Sequence, residues 1–271
     1  MFLNTIILGY HRIVEGKSPK GSLTLSVEQF AQQMHYLHTH GYQCLTLSNL
    51  LQLPESRRRQ SKSLALTFDD GYLNFITQAY PILQRYGFNA TLFIVTDYVG
   101  QLSSWNREEH TLLLTREQIK TLYNDGVAFE SHTCTHPMLT QLPTQQIWHE
   151  LTASKAYLEV LLDQEVRFIA YPYGDINEEV QKMAKAAGYQ AACGIGTGQN
   201  GLFNLWRWLP RTSDSLLTFA FKISPLYRCL HHLKKETHMG RTIGRLMHSP
   251  ASDRSPLMSG GFPDDRHEPN I

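Results

Sequence analysis

Along this chain, short runs rich in Ile, Leu, Val, Phe and Tyr alternate with longer stretches in which apolar residues recur every three or four positions. A chain that switches between these two periods predicts strand and helix units feeding a mostly parallel sheet. "TIILGYH" predicts a first strand. In "LSVEQFAQQMHYLHTHG", Ser26 is a helix cap with Gln29 three residues on; Phe30, Met34 and Leu37 share one face, and Gly41 is the stop. "YQCLTL" predicts a strand, "SNLLQL" a short helix, and "PESRRRQSK" a solvated basic loop.

The pattern repeats: strand "SLALTF", a helix near Phe75 to Tyr86, strand "ATLFIV", then a long loop to Thr115, which with Gln118 forms a second capping box. "VAFESH" predicts a strand and "PTQQIWHELTASKAYLEVLL" the longest helix. "VRFIAYPYG" runs from strand into turn, and "NEEVQKMAKAAG" is a helix closed by Gly188. "YQAAC" predicts another strand, the Gly-rich "GIGTGQNG" leads to "WRWLPR", and "SLLTFAFKISPLYRCLHHL" forms a last helix interrupted near Pro225. Seven or eight such units over residues 1–235 are too many for a small open sheet and predict a closed or nearly closed α/β barrel of the TIM type. From Glu236 the pattern dissolves into polar residues, Gly and Pro, which predicts a disordered tail over 236–271.

Composition narrows the class without choosing a function. With 42% hydrophobic and 18% charged residues, 271 residues can bury a substantial core, and a net charge of +1 supplies no field to recruit nucleic acid. Cys44, Cys134, Cys193 and Cys229 are widely spaced with no C-x-x-C pair, so neither a zinc knuckle nor a disulfide framework is expected. The first residues carry an apolar run without a basic region before it or a small-residue cleavage site after it, and no segment is apolar for the length of a membrane span. The expectation is a soluble, cytoplasmic protein.

The ends of the predicted strands hold the candidate chemistry. "LALTFDDG" places Asp69 and Asp70 side by side after a buried strand, where each disfavours ionisation of the other unless a cation intervenes. Aspartates before glycine also build ordinary turns. "SHTCTHP" sets His132 and His136 four apart, a spacing at which one helical turn presents two imidazoles to one ion. With 13 histidines, chance alone gives roughly 0.6 such pairs, so the weight lies on its place directly after "VAFE".

Two imidazoles and one carboxylate make a three-ligand set with open positions, as in catalytic zinc sites, while the second aspartate is free to take a proton from water. That chemistry hydrolyses an amide or an ester. In "FIAYPYG", Pro172 and Gly174 fix an abrupt turn, and the Tyr173 backbone N–H can face a developing oxyanion; a plain strand-to-helix turn reads equally well. Trp105, Trp206, Trp208 and Tyr171 can stack on sugar rings or simply pack.

"TFDDG", "SHTCTH" and "YPYG", in this order and with these separations, resemble the leading motifs of the polysaccharide deacetylases, the nodulation-protein-like carbohydrate esterases. The resemblance extends through "ILGYHRI", "FAQQMHYLHTHGY" and "LPR", from about Ile7 to His232, and is strongest to the branch that acts in exopolysaccharide biosynthesis. It implies a deformed (β/α) barrel that removes N-acetyl, or sometimes O-acetyl, groups from a glycan with a divalent metal, usually zinc. It implies Asp70, His132 and His136 as metal ligands, Asp69 as general base, and the Tyr173 N–H at the oxyanion.

Two positions depart from the family pattern. Ala170 stands where many members have an arginine paired with the catalytic aspartate; Arg211 of "WLPRT" is the expected replacement, or else a cap on a strand end. The late leucine-x-histidine motif that supplies the general acid is matched in letters by Leu246 to His248, inside the expected tail. His11, after the first strand, is the better candidate: the resemblance to the exopolysaccharide branch implies that an early histidine stands in for the late one, and a closed barrel brings first and last strands together; a core histidine bonded to backbone is the other reading. The expected activity is N-deacetylation of acetamido sugars in a bacterial polysaccharide or its precursor; the rivals are hydrolysis of a small non-sugar amide and glycan binding without catalysis.

Overall fold

The computed structural model describes residues 5–18, 22–60, 62–105, 111–195, 201–224 and 226–227. Residues Met1–Arg228 group as one compact unit and Cys229–Ile271 as a second. The expected tail over 236–271, the Leu246–His248 motif and the last helix beyond Tyr227 lie outside the described residues.

The predicted alternation is what folds. Strand β1 (Ile6–Tyr10) is followed by two short strands, β2 (Ile13–Val14) and β3 (Leu25–Ser26), and by helix α1 (Val27–Thr39). Next come β4 (Gln43–Leu45), α2 (Leu47–Gln52), α3 (Glu55–Gln60) and β5 (Ser63–Phe68). A π-helical turn (Phe75–Ala79) runs into α4 (Tyr80–Tyr86), then β6 (Thr91–Ile94), α5 (Arg116–Asn124), β7 (Ala128–Ser131) and α6 (Thr144–Leu162). The series ends with β8 (Phe168–Ala170), α7 (Glu178–Ala186), β9 (Ala191–Ile195), β10 (Leu205–Arg207) and α8 (Leu216–Lys222). Both capping boxes form as the sequence predicts, at Ser26/Gln29 and Thr115/Gln118. The basic segment after Pro54 is helix α3 rather than a loop, with Glu55 in its first turn, where a carboxylate favours the helix N-terminus.

Among the described residues every strand-to-strand pairing is parallel, and the main sheet runs in the order β1-β5-β6-β7-β8-β9-β10. β4 lies outside that path and pairs with the first half of β5, along the edge that β6 takes in its second half. A parallel bridge between Leu8 and Trp208 brings the last strand back to the first, with the Gly9 N–H donating to Trp208 O at 2.9 Å and the Trp208 N–H to Ile7 O at 3.0 Å. The result is a deformed barrel of seven strands. Its interior is a cluster of Ile7, Ala65, Phe93, Phe168, Ala170, Cys193 and Leu205, and a larger core of Leu, Ile and aromatic residues lies between strands and helices. Among the described residues, no helix is long and apolar enough to cross a membrane.

Parallel strands deliver their carboxyl ends to one rim, so the segments after β1, β5, β7 and β8 meet there. Those segments carry His11, Asp69 and Asp70, His132 and His136, and Tyr173.

Candidate active site

Asp69 leaves β5 with its backbone N–H donating to Tyr10 O at 2.9 Å. The chain then reverses within three residues: the Gly71 N–H donates to Asp69 O, and Asp70 sits between them at φ 71°. Gly71 follows at φ 80°, and a Cβ there would lie 2.7 Å from Ile94 Cδ1, so both the conformation and the space call for glycine. The reversal sends the two neighbouring carboxylates to different partners.

Asp70 faces the histidines. Its Oδ1 lies 3.5 Å from His132 Nε2 and 3.2 Å from His136 Nε2, and the three ligand atoms all fall within 4.8 Å of one another. All three side chains are buried. His132 Nδ1 is 2.7 Å from the Ala170 carbonyl, which can only accept, so Nδ1 carries a proton and Nε2 is the ring atom turned to Asp70. Asp70 Oδ1 is buried without a hydrogen-bond partner. Burial pushes the Asp70 carboxyl up, but the two imidazoles overcome that and hold it well below the usual range. A buried carboxylate oxygen and two ring nitrogens that converge on one point are the donor set a divalent cation satisfies. Donors about 2.0–2.2 Å from a tetrahedral ion stand roughly 3.3–3.5 Å apart, in line with both Asp70 separations.

The histidines reach this place by a different route from the one their spacing predicts. They lie on a loop, not on a helical turn, and the chain enters the left-handed region at Thr133 (φ 69°) and again at His136 (φ 63°). Strand-end hydroxyls hold it: the Thr133 N–H donates to Ser131 Oγ and the His136 N–H to Thr133 Oγ1.

Asp69 faces a cation that the chain itself supplies. Arg207 Nη1 donates to Oδ1 at 2.6 Å and Nη2 to Oδ2 at 2.7 Å, a two-point pair between fully buried groups. Nη1 also donates to Thr67 Oγ1 at 3.2 Å, and the guanidinium lies 5.4 Å from the Phe93 ring centre. Burial pushes the Asp69 carboxyl up, yet Arg207, His132 and His11 together bring it below its ordinary value.

Arg207 therefore takes the part the sequence reading gave to Arg211. Arg211 is exposed beyond the barrel wall, and its backbone N–H donates to Asp214. The signal was present in "WRW": alternation puts an arginine between two tryptophans on the opposite face of a buried strand, inside the barrel.

His11 stands beside the same carboxylate, with Nε2 3.8 Å from Asp69 Oδ2. Tyr173 adopts φ 58° between Pro172 and Gly174, and a Cβ on Gly174 would lie 2.9 Å from Ile195 Cβ. Its ring is 48% exposed and meets His136 edge to face at 4.6 Å. Trp105 also stacks on His136, at 4.6 Å and 20°. Thus Asp69, Asp70, His132, His136, His11 and Tyr173 share one mouth, and the arginine paired with Asp69 there is Arg207. Of the other aromatics, Trp208 packs on Phe219 and Tyr171 is buried with its hydroxyl donating to Phe203 O, so both belong to the core rather than to a sugar platform.

Fold and site together define a parallel barrel with a candidate cation site and an adjacent charge-paired carboxylate at its mouth. The polysaccharide deacetylase family model matches residues 56–192. The YxkH protein of Bacillus subtilis is 35% identical over 220 residues, 79% of this chain and 74% of its own length. A poly-β-1,6-N-acetyl-D-glucosamine N-deacetylase of Staphylococcus aureus is 30% identical over 198 residues, 69% of this chain and 65% of the relative, so the match spans just under two thirds of that protein. The solved structure of deacetylase PplD of Streptococcus pyogenes in complex with acetate superposes with a TM-score of 0.70 at 28% identity, covering 82% of this chain and 98% of that one. The chain belongs to the polysaccharide deacetylase family.

Proposed function

We propose that this protein is a metal-dependent N-deacetylase acting on acetamido sugars of a bacterial polysaccharide or its precursor. The observation that carries the reading is the division of labour between Asp70, aimed with two imidazoles at one point, and Asp69, held beside it by Arg207. Asp70, His132 and His136 would hold the ion, with zinc favoured by an N/N/O donor set that leaves positions open. When bound, the ion supplies Lewis acidity toward the acetyl carbonyl and lowers the pKa of a water.

The chain's own groups do the rest. Asp69, ionised and fixed in orientation by Arg207, removes the proton of the attacking water. The water oxygen adds to the carbonyl carbon, and the Tyr173 backbone N–H stabilises the oxyanion of the tetrahedral intermediate. His11, 3.8 Å from Asp69 and partly exposed, delivers a proton to the departing nitrogen. The C–N bond breaks, leaving acetate and a free amine on the sugar. The staphylococcal relative's name supplies the substrate class, and the acetate bound to PplD is the product such a reaction releases.

The test is acetate release from β-1,6-linked N-acetylglucosamine oligomers by the purified protein. Release that stops with chelator and returns with Zn2+ supports the reading. Turnover of simple acetamides but not of the oligomers overturns the sugar substrate.

A further inference from the structure

The loop from His132 to His136 has an unusual physical problem. Two residues with side chains, Thr133 and His136, sit in the left-handed region, each at a cost on the order of 1 kcal/mol. Such a conformation persists only where its surroundings over-determine it. The loop carbonyls are tied on one side, where the Thr96 N–H donates to Thr133 O at 3.1 Å and the Asp97 N–H to Cys134 O at 3.0 Å.

On the other side stands one carboxylate. Glu150, in the second turn of α6 and buried, takes the Cys134 N–H on Oε2 at 2.7 Å, the Thr135 N–H on the same oxygen at 3.0 Å, and the Thr135 hydroxyl on Oε1 at 2.6 Å. All three donors lie between the two histidines. A buried glutamate on a largely apolar helix face is costly unless it has such donors, and here it is anchored by Ile147 and Leu151 on either side in the same core. A second carboxylate braces the outgoing end: Asp175, after the Tyr173 turn, accepts from the Thr140 N–H and hydroxyl at 2.8 Å.

We propose that Glu150 is a positioning residue for the metal centre, setting the separation and aim of the His132 and His136 imidazoles by clamping Cys134 and Thr135 between them. It touches neither ion nor substrate. The inference rests on the reading of Asp70, His132 and His136 as metal ligands. A metal held by a preorganised pair binds without first ordering the loop, so loss of the clamp weakens affinity rather than removing a ligand.

The experiment measures Zn2+ affinity by competition with a chromophoric chelator, and the visible d–d spectrum of the Co2+-loaded protein, for wild type and three variants. Glu150→Ala removes all three bonds and is expected to lose about 10–100-fold in affinity and to shift the Co2+ bands. Glu150→Gln, whose amide oxygen can still accept both N–H groups, is expected to stay within about threefold of wild type. Thr135→Val removes only the hydroxyl bond and is expected to fall between them, and it keeps the test decisive where the alanine variant does not fold. Affinity and Co2+ spectrum unchanged in folded Glu150→Ala, or in Thr135→Val should the alanine variant not fold, overturn the proposal. Wild type that binds neither ion overturns the ligand assignment itself, a result distinct from equal binding by wild type and variant.

Discussion

Arg207 and Asp69 meet through two parallel N–H···O bonds of 2.6 and 2.7 Å inside the barrel mouth, although 138 residues separate them in the chain. A planar fork fixes the plane of the carboxylate as well as its charge, which a lysine ammonium cannot do. Arg207→Lys should therefore lower kcat by about 10–100-fold while KM stays within about threefold, because only orientation in the transition state is lost. Arg207→Met leaves a buried carboxylate unpaired and should lower stability by about 3–5 kcal/mol in urea titrations. Equal kcat for wild type and the lysine variant would separate Asp69's orientation from catalysis.

Asp69→Asn tests the base directly. The amide keeps the shape and one acceptor for Arg207 but cannot take a proton, so turnover should fall by about 10²–10⁴-fold. Metal content by mass spectrometry should equal that of wild type, since Asp69 is not among the converging ligand atoms. A folded, metal-loaded Asn variant with undiminished acetate release would remove the mechanism's first step.

Metal binding should register as stability. An ion that binds only the folded state at 100 times its dissociation constant adds about 2.7 kcal/mol, and for a domain of this size that raises Tm by roughly 5–10 °C. Scanning calorimetry with Zn2+ and with chelator measures the difference. Asp70→Asn, which removes the ionised oxygen at the centre of the site, should erase most of it.

Glu130 offers a pH test of the fold. Its carboxyl is buried on β7 and accepts from the Arg167 and Phe168 N–H groups at 2.8 Å, but burial dominates and pushes it from 4.5 up to about 8. A carboxyl raised on folding favours the protonated form, so the stability it contributes is complete below about pH 4.5. It declines as pH rises and is lost once pH passes about 8. In the metal-free protein, urea midpoints at pH 5, 7 and 9 should show this decline for wild type. Glu130→Gln keeps an acceptor without a charge and should flatten it, ending above wild type at pH 9.

Much of this site was legible because it is local. "TFDDG" and "SHTCTH" each follow a readable strand, and parallel pairing obliges their ends to share a rim. What was not legible depends on closure or on tertiary override. The choice of Arg207 over Arg211 turns on which residue of β10 points inward once Trp208 pairs with Leu8. A four-residue spacing fits a helical turn, yet His132 and His136 sit on a loop whose positive φ values are maintained by Glu150, fourteen residues beyond His136. α3 forms in a segment whose charge reads as solvated loop, because a short helix exposed to water is itself compatible with a run of arginines.

The bridge between Leu8 and Trp208 has a consequence for biosynthesis. β1 and β10 lie some 200 residues apart in the chain, so the contact that seals the wall is among the longest in sequence and closes late. Until it forms, Asp69 has no guanidinium opposite it and the nascent chain carries an unneutralised carboxylate at an open seam. The charge-paired mouth therefore exists only once the chain as far as Trp208 has been made and has closed on β1.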